Sequence, residues 1–261
     1  MSWLKRTFGG LRGDATPDRA AVSVPQGQIY YAIGDIHGRL DLLRILLKKI
    51  DTDAAQTPSK RVRIIFLGDY VDRGQDSRGV IDLLAVMKRD GGEQVTALKG
   101  NHEEALLGFL ADPSTGPAWA EHGGRETLKS YGVDAPRRSD DEAGWAATRD
   151  AFALALPEPH LIFLKNLQLF DIVGDYIFVH AGVRPGVPME QQEEHDLLWI
   201  RQEFLSAPRA SVGIVVHGHT PSAEPTLAPG RIGVDTGAYA TGILTAVRLE
   251  DDCSRFVRTG P

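Results

Sequence analysis

Five times along this chain an apolar run halts and gives way at once to Asp, Asn or His set among glycines. Ile29 to Ile33 leads into Gly34-Asp35-Ile36-His37-Gly38, and Ile64 to Leu67 into Gly68-Asp69-Tyr70-Val71-Asp72-Arg73-Gly74. Val95 to Leu98 leads past Lys99 into Gly100-Asn101-His102-Glu103, and Ile177 to Val179 into His180-Ala181-Gly182. Ile214 to Val216 leads into His217-Gly218-His219-Thr220-Pro221. Short apolar runs bounded by glycine read as buried strands. Strand ends in an open α/β sheet converge on one crevice, so polar groups far apart in sequence can meet there.

The intervening segments fill in an α/β chain. Leu43, Leu46, Leu47 and Ile50 form one helical stripe, and Val80, Leu83, Leu84 and Met87 another. A third helix is expected over Glu103 to Leu110, entered directly from Asn101-His102. Three strand–motif–helix units in succession imply a parallel half-sheet. Residues 112 to 160 break the rhythm, with Trp119 and Trp145 among Gly, Pro and charged residues, and read as a helical insertion near the mouth of the site. From Leu161 onward strands are expected at 161–164, 168–173, 176–180, 212–216, 231–235 and 242–249, buried as a second sheet packed on the first. Residues 1–26 read as a flexible leader, and 27–261 as one catalytic domain.

The polar residues at the strand ends supply the donor set of a two-metal hydrolytic centre. Asp35 and His37 sit two apart, so a tight turn can aim both one way. Asp69 is placed to bridge two cations, Asn101 offers an amide oxygen, and His180 and His219 offer imidazoles. Asp35, His37 and Asp69 are assigned to one metal, and Asp69, Asn101, His180 and His219 to the other. Mixed N/O ligation suits manganese, iron or zinc, with manganese first. Arg73 has the donor fork that matches phosphate oxygens. His102 is the candidate general acid and Asp72 the group that orients it and keeps it protonated. His217 competes with His219; His219 is favoured as ligand, with His217 packing in the strand behind it.

Composition removes other classes. A net charge of -6 argues against a nucleic-acid partner. No stretch approaches the ~20 apolar residues of a membrane span. Trp3, Leu4, Phe8 and Leu11 form at most a small face, cut short by glycines. Cys253 is the single cysteine, which suits a reducing cytoplasmic setting. Its spacing from Arg258 does not fit a cysteine-based phosphatase loop.

Together and in this order, the five strings resemble the phosphoprotein phosphatases among the calcineurin-like metallophosphoesterases, above all the small bacterial and bacteriophage lambda-type serine/threonine phosphatases. The resemblance implies an α/β fold of two packed mixed β-sheets flanked by helices. It implies two metals on Asp35, His37, Asp69, Asn101, His180 and His219, an acid pair of Asp72 and His102, and a phosphate-binding Arg73, with Asn101 also facing the phosphate. Trp199-Ile200-Arg201 resembles the segment that supplies a second phosphate-binding arginine, making Arg201 a candidate that residue type alone would leave as a surface cation. Trp119 to Gly124 resembles a Trp-x-x-x-Gly-Gly string in which a relative's Asn is here His122. Tyr239 falls where the family places a loop over the site, and reads either as a lining residue or as a buried strand-end tyrosine. The implied activity is hydrolysis of phosphoserine, phosphothreonine or phosphotyrosine in proteins or peptides by direct attack of a metal-bridging hydroxide. The alternative is a symmetrical diadenosine tetraphosphate hydrolase. No regulatory subunit is implied.

Overall fold

The computed structural model describes residues 23–211 and 213–260. Nearly all of the expected leader therefore lies outside the described residues. The first half of the chain delivers the expected parallel units. Strands β1 (Gln28–Ile33), β2 (Arg61–Phe66) and β3 (Val95–Ala97) pair in parallel, with Gln28 opposite Arg61 and Ile64 opposite Val95. Helices α1 (Leu40–Ala54), α2 (Ser77–Gly91) and α3 (Asn101–Ala111) follow them in turn.

Side-chain alternation explains why this sheet is buried on both faces. Ile29, Tyr31 and Ile33 point to the helical side, where Leu43, Leu46, Phe66, Leu84 and Phe109 fill one core. Tyr30 and Ala32 point the other way, onto Phe178, Val216 and Ile232 of the second sheet. That sheet runs β4 (Phe170–Val173), β5 (Tyr176–Val179), β6 (Ile214–His217), β8 (Arg231–Gly233), β7 (Thr226–Ala228). Both sheets are mixed and have five strands.

Residues between α3 and β4 are helical: α4 (Gly116–Trp119), a π turn at Ala120–Gly124, α5 (Arg125–Ser130), α6 (Glu142–Ala155) and α7 (Glu158–Lys165). Here the expected strand at 161–164 is wrong. His160, Phe163 and Leu164 are buried while Ile162 is 54% exposed, a helical and not an alternating spacing. The expected strand at 242–249 also joined the wrong sheet. It is β9 (Thr245–Glu250), antiparallel to β1 in the first sheet and followed by an unexpected edge strand β10 (Cys253–Arg258). Pairing partners of an apolar run are set by long-range packing, which its own periodicity does not encode. Two short helices, α8 (Glu194–Trp199) and α9 (Gln202–Ser206), cover the outer face of the second sheet, and α10 (Ala238–Thr241) lies near the strand ends.

One helical position stands out energetically. Gly108 lies inside α3 with ordinary helical backbone angles, and a Cβ there would meet nothing within 4 Å. A glycine so placed costs about 1 kcal/mol relative to alanine, with no backbone or packing reason in return. Among the described residues, no helix is long and apolar enough to cross a membrane.

Candidate metal centre and phosphate site

The parallel strands β1, β2 and β3 end at the same edge as β5, β6 and β8, so the chain emerging from each is gathered into one crevice. The turns needed there are tight. Six described non-glycine residues have positive φ, and five of them (His37, Asp69, Asp72, Arg73 and His219) belong to this crevice, at 45° to 72°. Each such conformation costs on the order of 1–2 kcal/mol, and strain of this kind collects where side chains must be aimed.

Asp69 is the hub. Its carboxylate lies 3.5 Å from His37 Nε2, 3.4 Å from His180 Nε2 and 3.9 Å from His102 Nε2, and it accepts the His102 backbone N–H at 3.1 Å. Two groups of donor atoms are close enough to share an ion, His37 with Asp69 and His102, and Asp69 with His180 and His219. Asp35 belongs to neither tight group, but its carboxylate accepts the His219 backbone N–H at 3.1 Å in the same crevice.

Proton positions test whether cations fit. His180 donates Nδ1–H to the Leu67 carbonyl at 2.9 Å, which leaves a bare Nε2 lone pair facing the Asn101 Oδ1 atom at 2.9 Å. His37 likewise donates Nδ1–H to the Val71 carbonyl at 2.8 Å, leaving Nε2 toward Asp69. Acceptor facing acceptor in a buried site is unfavourable unless a cation lies between them, and backbone carbonyls that fix the imidazole tautomer are the usual support of a metal-ligating histidine. The residues therefore fit divalent cations.

The electrostatics agree. Burial pushes the Asp35 carboxyl well above its ordinary range, and the charges of Asp235 and Asp69 add to the push. Burial lowers His37 and His219 to about 3, so both imidazoles are held neutral, as ligands must be. Burial also opposes ionisation of Asp69, yet its carboxyl is held below its usual value by the histidines around it, of which His102 is the one that carries a proton. Chelation is thus expected to lower the melting temperature, and manganese to restore it. At free metal 100-fold above Kd the stabilisation is about 2.7 kcal/mol, and a scan unchanged by chelator and by added metal would count against a cation site.

Asp72 and His102 form a second unit. His102 donates Nδ1–H to Asp72 Oδ2 at 2.6 Å. Asp72 is fully buried and also accepts from Trp119 Nε1 at 2.9 Å and Thr127 Oγ1 at 2.6 Å. Burial works against protonation of His102, but Asp69 and Asp72 outweigh it and raise the imidazole to about 8. Arg73 lies across both histidines, 3.1 Å from His37 Nε2 and 3.1 Å from His102 Nε2, beneath the Tyr239 ring at 4.7 Å. As arranged, both nitrogens accept from the guanidinium. A proton on His102 Nε2, or a metal on His37 Nε2, requires Arg73 to move toward an incoming anion.

The remaining candidates separate clearly. Arg201 donates Nε–H to His219 Nε2 at 3.0 Å, so it borders the centre and is no isolated surface cation. His217 is buried edge-on to Phe204 at 5.0 Å, outside both ion-sized groups, and burial lowers it to about 4. Tyr239 is 40% exposed on α10 with its ring against His37 and Arg73, which corrects the strand-end alternative. His122 is exposed and bonds only the Ala118 carbonyl, so it makes no polar contact with the site. Gly123 instead brings that string into contact. Its carbonyl accepts Arg73 N–H at 3.2 Å, and at φ 110° a Cβ would come within 2.5 Å of the same nitrogen.

Four residues had no role from sequence. Glu103, fully buried, accepts backbone N–H from Asp69, Tyr70, Val71 and Gly100 at 2.8–3.2 Å and so clamps two of the strand-end loops together. Asp235 lies at the end of β8 with its carboxyl raised to about 6 by burial, partly offset by the Gly237 N–H. It repeats the strand-then-aspartate sign and was legible by that rule. Of the two residues that hold Asp72, Trp119 was marked only by its resemblance to a family string, and Thr127 by nothing.

A two-sheet α/β sandwich that gathers this donor set at its strand ends defines a metal-dependent hydrolase. Residues 30–246 match the calcineurin-like phosphoesterase family, and the chain belongs to it. It is similar to the bis(5'-nucleosyl)-tetraphosphatase PrpE (asymmetrical) of Anoxybacillus flavithermus, 25% identical over 244 residues, covering 85% of this chain and 91% of the relative. It is likewise similar to serine/threonine-protein phosphatase 1 of Salmonella typhimurium, 26% identical over 226 residues, covering 84% and 91%. A solved serine/threonine phosphatase of Saccharomyces cerevisiae superposes with a TM-score of 0.52 at 15% identity, over 89% of this chain and 79% of that one, a likeness of fold alone. The chain is a metallophosphoesterase.

Proposed function

We propose that this chain is a phosphomonoesterase acting on phosphorylated protein or peptide side chains. The Asp72–His102 pair beside Asp69 carries the reading. A departing alkoxide or phenolate needs a proton, whereas the phosphate leaving an anhydride is a weak base and needs one far less. A site that builds a buried proton donor is suited to an ester.

Asp35, His37 and Asp69 would hold one cation and Asp69, Asn101, His180 and His219 the other. Divalent ions there supply Lewis-acid activation of water and of the phosphoryl oxygens. Arg73 leaves the two imidazoles to pair with phosphoryl oxygens, with Arg201 and the Asn101 amide on the opposite side. His102, freed at Nε2 and oriented by Asp72, protonates the leaving oxygen. Arg73→Ala is expected to lower kcat by roughly 10² on a phosphopeptide in steady-state assays, and wild-type rates would remove Arg73 from this role.

The second reading, a dinucleoside polyphosphate hydrolase, draws on the PrpE relatives, whose names specify asymmetrical cleavage where the sequence reading had symmetrical. One observation favours it: a polar cavity of about 540 Å³ beside Arg73, bordered by Arg39 paired with Asp41, by Arg44, Asp76 and Tyr239, has room for further phosphates. Phosphopeptides and diadenosine tetraphosphate, assayed side by side with manganese, iron, zinc and magnesium, decide between them. At least tenfold higher kcat/KM on the phosphopeptide is expected, and the reverse ratio moves the assignment to the nucleotide.

A further inference from the structure

A second, apolar cavity of about 250 Å³ opens beside the His102 imidazole, with none of the polar cavity's lining residues in its walls. Its walls are largely Ala105 and Gly108 of α3, Ala118, and the rings of Trp119 and Trp199, with Thr115 and His122 also lining it. Both tryptophans are fixed. Trp199 donates Nε1–H to Glu104 at 2.6 Å and has His195 stacked on it, and Trp119 is held by Asp72 and packs on Phe109. A rigid slot, apolar along its walls and ending at a proton donor, suits an apolar leaving group whose oxygen faces His102. Its volume lies just below the ~300 Å³ at which drug-sized ligand sites begin, which is ample room for one aromatic ring.

Gly108 gives this slot its depth. It sits on the same face of α3 as His102 and Ala105, and neither its backbone angles nor its neighbours require glycine. A Cβ added there would meet nothing within 4 Å, so a larger side chain starts into open space. We propose that this recess receives the leaving group, that Gly108 sets its depth, and that the preferred substrates are aryl phosphates of the phosphotyrosine kind over short alkyl phosphates such as phosphoserine. The inference rests on the phosphomonoesterase reading above. An aromatic ring fills the space between the two tryptophans, whereas a serine methylene leaves it empty.

The test compares a phosphotyrosine and a phosphoserine peptide of the same flanking sequence on manganese-loaded wild type, Gly108→Leu and Ala118→Leu. Ala118 is exposed on the opposite wall, so its substitution fills the slot without loading the helix. Wild type is expected to favour the phosphotyrosine peptide at least tenfold in kcat/KM, and each leucine to reduce that preference at least tenfold, chiefly through KM. Quenching of tryptophan fluorescence by phenylphosphonate should weaken in parallel, with Kd raised at least tenfold. Hydrolysis of both peptides with no preference, or a preference that both leucine variants preserve, overturns the recess and leaves the phosphomonoesterase reading standing. Turnover of neither peptide, with diadenosine tetraphosphate hydrolysed, overturns that reading and the recess with it.

Discussion

Replacing His102 with asparagine is expected to lower kcat by on the order of 10²–10⁴, the usual contribution of a positioned general acid, while the protein still binds its metals. The expectation follows from what His102 touches. Its Nδ1 is committed to buried Asp72, so only Nε2 can face a substrate, and Trp119 and Thr127 hold Asp72 in place. Asparagine keeps a polar group of similar reach but cannot deliver a proton. The loss should therefore depend on the leaving group, large for a phosphoserine peptide and phenyl phosphate and much smaller for p-nitrophenyl phosphate. Rates across that series, with metal content by elemental analysis, check it. A uniform loss accompanied by lost metal would show that His102 serves the cation cluster, which its nearness to His37 and Asp69 makes the competing role.

Glu103→Ala carries the largest expected effect on stability, about 4 kcal/mol. The substitution strands four buried backbone N–H groups, each worth about 1–3 kcal/mol when left unpaired, with entering water relieving part of the cost. Set against a total stability of ~5–15 kcal/mol, that is a severe loss. Glu103→Gln keeps one acceptor oxygen but turns an NH2 toward the remaining donors, so it is expected to recover only part of the stability. Metal affinity should fall by roughly 10–100-fold at temperatures where the variant is still folded, as for other residues that support ligands, because the clamped loops carry Asp69 and Asn101. Glu104→Ala, next in the chain, loses a single hydrogen bond to Trp199 and should stay within ~0.5 kcal/mol. Urea midpoints decide it, and equal midpoints for the two alanine variants would sink the clamp.

Much of this was legible because burial on both faces of β1, β5, β6 and the end of β2 forces continuous apolar runs, and their ends must then be polar. The same sign extended to Asp235, where it was present and not used. Glu103 was harder. It stands in Gly100-Asn101-His102-Glu103, yet its function depends on four backbone donors from two different loops, and no local spacing reports them. The helix at Glu158–Lys165 reads as a strand from sequence because a short apolar run does not declare its period until the buried face is known.

Residue type and order determined which donor groups are on offer, carboxylates, imidazoles and an amide placed directly after buried strands. Tertiary structure decided which of them meet. It brought Asp69 among His37, His102 and His180, left His217 against Phe204, and set Arg201 on His219. It also fixed which helices wall the crevice, and so the slot at Gly108. The physical reason is one of range. Strand ends announce themselves through local burial, whereas partners across the crevice are chosen by the packing of two sheets that no segment encodes alone.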